Sequence, residues 1–268
     1  MVGRMYQFTV TDPKDIKNPI PREIREGRLV VYHGTSAQYA SAIEESGFQP
    51  NKLPYDMNDI RAIIDAYQMI GWHGLSGSGY PALNAYTIGT ANQYEKLKHM
   101  CFAANYEKAR DYSVSRGGET VENIVVAVEE YGKFCEEKPI REKHLSEVRR
   151  QVLLMPDTPR RIEIRRQIDN SNDVRLLEST RDHLFYLSQK YFKIFNNHVP
   201  IVYAVAAQAE WFNEKPTFFA QVYAKVPIEP ASLIARVEFP NGLEHLCPSV
   251  DEYEGIEEWL RDRKGHGK

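Results

Sequence analysis

Hydrophobic positions fall in short runs at the two ends of the chain and in spaced stripes through its middle. "MYQFTV" and "RLVVYH" are β-branched and aromatic runs that read as strands, with the Pro-broken "DPKDIKNPIP" as the start of their connection. The second run finishes on His33-Gly34, and Thr35 or Ser36 is placed to N-cap a helix on which Tyr39, Ala40 and Ile43 share a face. Gly47 then sits where a left-handed C-cap belongs, with Phe48 as its apolar follower. Ile60, Ile63, Ile64, Tyr67 and Ile70 make one stripe, predicting a helix capped by Asn58. Gly71 to Thr90 is rich in glycine and serine and has no period, and long loops of this kind usually carry function. "MCFAA" reads as a strand, followed by a helix capped by Asn105 and stopped at Gly117-Gly118.

From Thr120 to about Asn196 the period is helical. Val121, Ile124, Val125, Val128 and Phe134 form one stripe and Leu176, Leu177, Leu184, Leu187, Tyr191 and Phe192 another, with Pro156 and Pro159 dividing the helices. Strands return in "VPIVYAVAA", "TFFAQVYAKV" and "SLIARVEFP". The order predicts an α+β fold, read as one domain over residues 1–268 with a helical insertion at about 120–196. "CPSVDEYEGIEEWLRDRKGHGK" reads as an acidic surface helix with a basic tail.

A formal charge of −3 leaves no overall polycation, so nucleic-acid binding would need a local patch. Cys101, Cys135 and Cys247 are far apart and form no CxxC, which argues against a zinc ribbon or a disulfide framework and fits a reducing cytosol. The first residues resemble neither a signal nor a transit peptide, and no apolar run approaches the roughly 20 residues that span a bilayer. The expectation is a soluble cytoplasmic protein with no membrane partner and no metal, since no HExxH or other metal-ligand spacing links His73, His99 and His144.

Two short stretches carry candidate chemistry. In "YHGT" a glycine beside a strand end lets a flat amide approach the backbone, and His33 has a ring nitrogen to offer a sugar hydroxyl. Taken alone, the pair reads first as a strand end whose imidazole is satisfied by backbone. In "CFAANYEKARDYS", Tyr112 follows Ala109 by three residues on an amphipathic helix, where its ring either stacks on a planar heterocycle or packs in the core.

Together, strand–His-Gly-Thr–helix–Gly-Phe, then strand–Phe-Ala–helix–Ala-x-x-Tyr, then a late strand cluster, resemble the ADP-ribosyltransferase superfamily. The likeness is to its His-Tyr-Glu branch, which includes poly(ADP-ribose) polymerases and diphtheria-type toxins, and it covers mainly residues 28–48 and 99–115. It implies a split β-sheet that grips NAD, used as substrate. By the same resemblance His33 would bind the adenosine ribose, Gly34 the nicotinamide amide through its backbone, Thr35 would support the turn, and Tyr112 would stack on the nicotinamide. The Gly71–Tyr80 stretch, or the one from there to Met100, would be the donor loop.

The sequence departs from the family pattern at Cys101, where many members have tyrosine, and at Ala109, where they have serine. Gln221, or its neighbour Ala220, falls in the slot of the family's glutamate, and Glu210 or Glu214 could supply a carboxylate instead. The implied function is mono-ADP-ribosyl transfer from NAD to a macromolecular acceptor, protein, RNA or DNA, by a toxin or phage-defence effector with an antitoxin as a further partner. The alternatives are a silent module binding NAD or ADP-ribose, and an RNA 2′-phosphotransferase. Arg149, Arg150, Arg160, Arg161, Arg165 and Arg166 come as three pairs, which read either as a phosphate-contacting face or as a solvated one paired with acids. Trp72, Tyr86, Tyr94 and Trp211 read as base-stacking candidates or as loop packing.

Overall fold

The structure is a computed structural model that describes residues 5–15, 17–50, 52–70, 100–170, 173–212, 221–224 and 226–244. The glycine-rich stretch, Trp72, His73, Tyr86, Tyr94, His99, Glu214, Ala220, Cys247 and the acidic C-terminal stretch lie outside these residues, as do the side chain of Gln221 and that of Ala209. The described residues form an α+β fold of six strands and eight α-helices. They fall into two compact units, one of residues 1–53, 97–118 and 196–268, the other of 54–96 and 119–195.

The first unit holds β1 (Tyr6–Thr9), α1 (Arg22–Arg25), β2 (Leu29–Ser36), α2 (Ala40–Ser46), β3 (Met100–Ala103) and α4 (Tyr106–Ser113). It also holds β4 (Pro200–Ala207), β5 (Gln221–Ala224) and β6 (Leu233–Glu238). The strands make one mixed sheet in the order β1-β6-β4-β2-β3-β5, with only β1 and β6 parallel. Both faces of the sheet are covered, which is why β4 is buried over six consecutive residues rather than alternately. Tyr32, Val202, Ala204 and Val237 pack on one face with Tyr106 and Ala109 of α4. Val31, Phe102, Tyr203 and Val222 pack on the other, with Phe48 and Ile228.

The sequence ends the second strand at His33, but β2 runs on to Ser36, because β4 offers a partner for each residue down to Ser36↔Pro200. Thr35 therefore supports no turn; it is a buried strand residue. Ser36 precedes a 3-10 turn, Ala37–Tyr39, without a side-chain cap bond, and α2 starts at Ala40. Gly47 does end α2, at φ +71°, with its N–H donating to Ile43 O at 2.7 Å. Asn105 caps α4 as expected, its Oδ1 accepting from Lys108 N at 2.9 Å. That helix stops at Ser113 rather than at Gly117-Gly118, whose positive φ values belong to the following turn.

The second unit holds α3 (Met57–Met69), α5 (Glu119–Glu136), α6 (Lys138–Leu154), α7 (Pro159–Asn170) and α8 (Val174–Asn196). α3 is capped by Asp56, not Asn58: its Oδ1 accepts from Asn58 N at 2.8 Å, so the residue two earlier does the capping. The predicted stripe of α5 is buried from Val121 to Phe134. Tyr191 of α8 donates to buried Asp59 of α3 at 2.7 Å, and Tyr67 donates to Ala127 O at 2.7 Å, so the apolar packing is pinned by satisfied buried polar groups. Among the described residues no helix is long and apolar enough to cross a membrane.

Candidate functional site

The central feature lies in the first unit, where β2 and β3 part. Ala37 N–H donates to Val199 O at 2.8 Å, one residue beyond the last registered pair of β2 with β4. In an antiparallel ladder hydrogen-bonded pairs alternate, so Thr35, His33 and Val31 direct their N–H and C=O toward β4. Ser36, Gly34 and Tyr32 direct theirs the other way, toward β3. Tyr32 meets Ala103 there, and among the described residues that is the only registered pair of β2 with β3. A continued ladder would bring Gly34 opposite Cys101. Instead the imidazole of His33, packed on the face that carries Phe48 and Phe102, bonds Cys101 O, with Nδ1 2.9 Å away.

A carbonyl only accepts, so Nδ1 carries the proton and Nε2 of the neutral ring is an acceptor. The ring meets Phe48 at 4.7 Å between centroids and Phe102 at 5.3 Å. Burial pushes its pKa down and the Cys101 bond offsets part of that, so the imidazole is neutral at neutral pH. His33 is thus a wedge that holds two strands apart at Gly34.

On the other face of β2, α4 lies directly against Gly34. A Cβ built there would fall 1.9 Å from Ala109 O and 2.7 Å from Ser113 N, so the glycine is required by a helix backbone rather than by a ligand on that side. Tyr112 sits in this same turn of α4, partly exposed, with Lys108 Nζ 5.1 Å from its ring centroid. His33 therefore adjoins Gly34 within β2, while the turn of α4 that carries Tyr112 packs its backbone on Gly34 from the opposite face of the sheet. Gln221 heads β5 and registers with Ala103, which registers with Tyr32. Its backbone is two strand spacings, about 10 Å, from Tyr32 in a row adjoining His33. Glu210 is exposed on the 3-10 turn Ala209–Trp211 that follows β4, and Trp211 packs beside the Phe48 cluster.

Two residues that shape the site escape sequence reading. Arg110 of α4 is fully buried and donates to Pro13 O at 2.7 Å and Glu244 O at 3.4 Å, tying the helix to two loops. Its only signal was a cation among the inward positions Tyr106, Ala109 and Ser113. His198 closes the end of α4: Nε2–H donates to Ser113 O at 2.9 Å, and Nδ1 accepts from Gly117 N–H at 3.2 Å. Nothing local marks it, since its partners are some 80 residues away.

His33, His144 and His198 all have pKa values lowered from 6.5, chiefly by burial. The fold holds them neutral while the unfolded chain binds their protons, so their stabilising share is complete above pH 6.5 and is lost as pH falls below it. Each contributes a slope of up to about 1.4 kcal/mol per pH unit. Glu119, raised by burial, works in the opposite sense, one group against three. Urea unfolding should show lower stability at pH 5.5 than at pH 7.5, and equal midpoints would contradict this reading of the three rings.

Three of the six paired arginines are committed to nearby carboxylates: Arg150 to Glu147, Arg161 to Asp157 and Arg166 to Glu163, at 2.7–2.8 Å. Among the described residues no group of three or more His, Cys, Asp or Glu could hold a metal ion. A groove of about 1210 Å³ opens along the β1 edge beside Tyr6, Ile24, Arg28 and Ile234, and none of the sequence-predicted site residues lines it. Comparison of the chain with protein-family models, with curated proteins and with solved structures finds no match.

Proposed function

We propose that the protein transfers a single ADP-ribose from NAD to a macromolecular acceptor. The observation that carries this reading is the parting of β2 from β3 at Gly34, whose N–H and C=O face the opened edge with no β3 residue registered opposite. A primary carboxamide matches that pair of groups, donating to the C=O and accepting from the N–H. A planar ring held there edge-on lies in the sheet plane, so it can be reached from both faces. That geometry reconciles His33 on one face with Tyr112 on the other. The Tyr112 ring would stack on the pyridine, and His33 Nε2 would accept from a ribose hydroxyl. NAD supplies a ribose carbon from which nicotinamide departs while positive charge builds on the sugar. What the chain supplies is orientation of that carbon and exclusion of competing positions. The reading carries with it a cytoplasmic setting and a toxin or phage-defence role.

Gln221, Ala109 and Cys101 favour a second reading, a silent module that binds NAD or ADP-ribose. An amide accepts a ribose hydroxyl as a carboxylate does, but carries no charge with which to stabilise an oxocarbenium-like centre. Incubation with NAD labelled in the adenylate, together with cell extract, separates the two. Label transferred to protein, RNA or DNA is the expected result. If no label moves while NAD raises the melting temperature without nicotinamide release, the silent module is correct. An RNA 2′-phosphotransferase would instead consume a 2′-phosphorylated RNA in the same assay format.

A further inference from the structure

We propose that the tip of the α6–α7 hairpin, in the helical unit, is a docking surface for an acidic polypeptide that presents aliphatic side chains among its carboxylates. Leu153 and Leu154, in the last turn of α6, are 68% and 75% exposed, and Ile162, in the first turn of α7, is 69% exposed. The four residues Met155 to Thr158 join the two helices, so these three side chains occupy the connected end of the pair. They are not frayed core positions. The inward faces are filled separately by Leu145, Val148 and Val152 on α6 and by Ile164 on α7. Isolated exposed leucines are ordinary, but three large aliphatics at one helical corner leave apolar surface in water that no described residue of this unit covers.

The surroundings select the occupant. Between Lys138 and Asn170 there are nine Lys or Arg against five Asp or Glu, a surplus of +4 in a chain whose total is −3. A second copy of the same corner would bring like charges together, so it is disfavoured. An acidic partner is attracted. Nucleic acid also satisfies the charge, but it offers no aliphatic surface, and its bases stack on aromatics rather than on leucine and isoleucine. Three of the arginines here are also held by carboxylates of their own helices or connection, which weakens a purely electrostatic contact with any anion and leaves the aliphatic corner to decide between partners. A polypeptide with Leu- or Ile-like anchors amid acids meets both demands: the anchors cover Leu153, Leu154 and Ile162, and the carboxylates ring the cationic rim. This proposal stands independently of the transferase reading.

The test uses the full chain and three probes read by fluorescence anisotropy: an amphipathic Leu/Glu/Ala peptide about 18 residues long with leucines at helical spacing, poly-L-glutamate, and a single-stranded RNA. The peptide should bind more tightly than either of the others by at least about tenfold, and added salt should weaken it. Leu153→Ser, Leu154→Ser and Ile162→Ser combined should weaken peptide binding by at least about tenfold, with far-UV circular dichroism unchanged because all three are exposed. Peptide that fails to bind, or binds the triple variant as well as the parent, overturns the proposal. Poly-L-glutamate or RNA binding as tightly as the peptide overturns it too, in favour of a plain cationic surface.

Discussion

Gly34→Ala is expected to lower the unfolding free energy by about 3 kcal/mol or more, the top of the range for overpacking a close-packed interior. The added methyl carbon would lie 1.9 Å from Ala109 O. That oxygen belongs to helix backbone held by the Asn105 cap at one end, by His198 at the other and by buried Arg110 between, so it cannot yield as a flexible side chain would. Relief requires α4 to move off the sheet, carrying Tyr112 with it. Gly132 is the internal control. It lies inside α5, with open space where its Cβ would be and no positive φ, so Gly132→Ala should stabilise by about 0.5–1 kcal/mol through helix propensity alone. Urea unfolding of both variants checks the pair. An unchanged midpoint for Gly34→Ala would mean that α4 does not rest on β2.

What was legible in the sequence follows the range of the interactions. Asn105 and Gly47 act within four residues of their own positions, so a cap and a positive-φ terminator were readable locally. Asp56 was missed because Asn58, two residues on, is an equally good capping type, and only the accepted N–H separates them. The length of β2 was not legible at all. Three further residues are strand because Val202, Ile201 and Pro200 line up beside them, more than 160 positions away. His33-Gly34 reads in the sequence as a place where backbone becomes available to a ligand; what the ladder adds is that the N–H and C=O of Gly34 face β3. The Cα side of the same glycine is taken by a helix. The imidazole's own partner, Cys101 O, comes from a strand 68 residues later, so its role as a wedge between strands needed the sheet to be seen. The paired arginines could be judged only when Glu147, Asp157 and Glu163 were found within reach. Of the residues proposed for the glutamate's slot, the amide Gln221 heads β5 in the row beside His33, and the carboxylate Glu210 is exposed on a turn.

Tyr112→Ala is expected to reduce labelled transfer by about 10–100-fold, whereas Tyr112→Phe should retain most of it. Loss of a base-type stack costs about 1–3 kcal/mol, and 1.4 kcal/mol is a factor of ten. A phenylalanine keeps the ring face and gives up only the hydroxyl. Tyr112 is only partly exposed, so Tyr112→Ala should also lower the urea midpoint somewhat; transfer is therefore compared without denaturant, where both proteins are folded, which separates a contact with NAD from a packing role. His33→Ala must be read differently. It removes an acceptor and also the wedge whose Nδ1–H holds Cys101 O, so β2 and β3 become free to pair at Gly34. Transfer should fall by about 100-fold, the scale of a lost positioning contact remote from the reacting carbon, and NAD should no longer raise the melting temperature. Closing the edge would by itself strengthen backbone pairing, offsetting the cavity left beside Phe48 and Phe102, so the melting temperature without NAD should change less than a buried aromatic deletion suggests. If Tyr112→Ala and His33→Ala both transfer label at the parental rate, the parted edge at Gly34 is a structural irregularity of the sheet and not the seat of NAD chemistry.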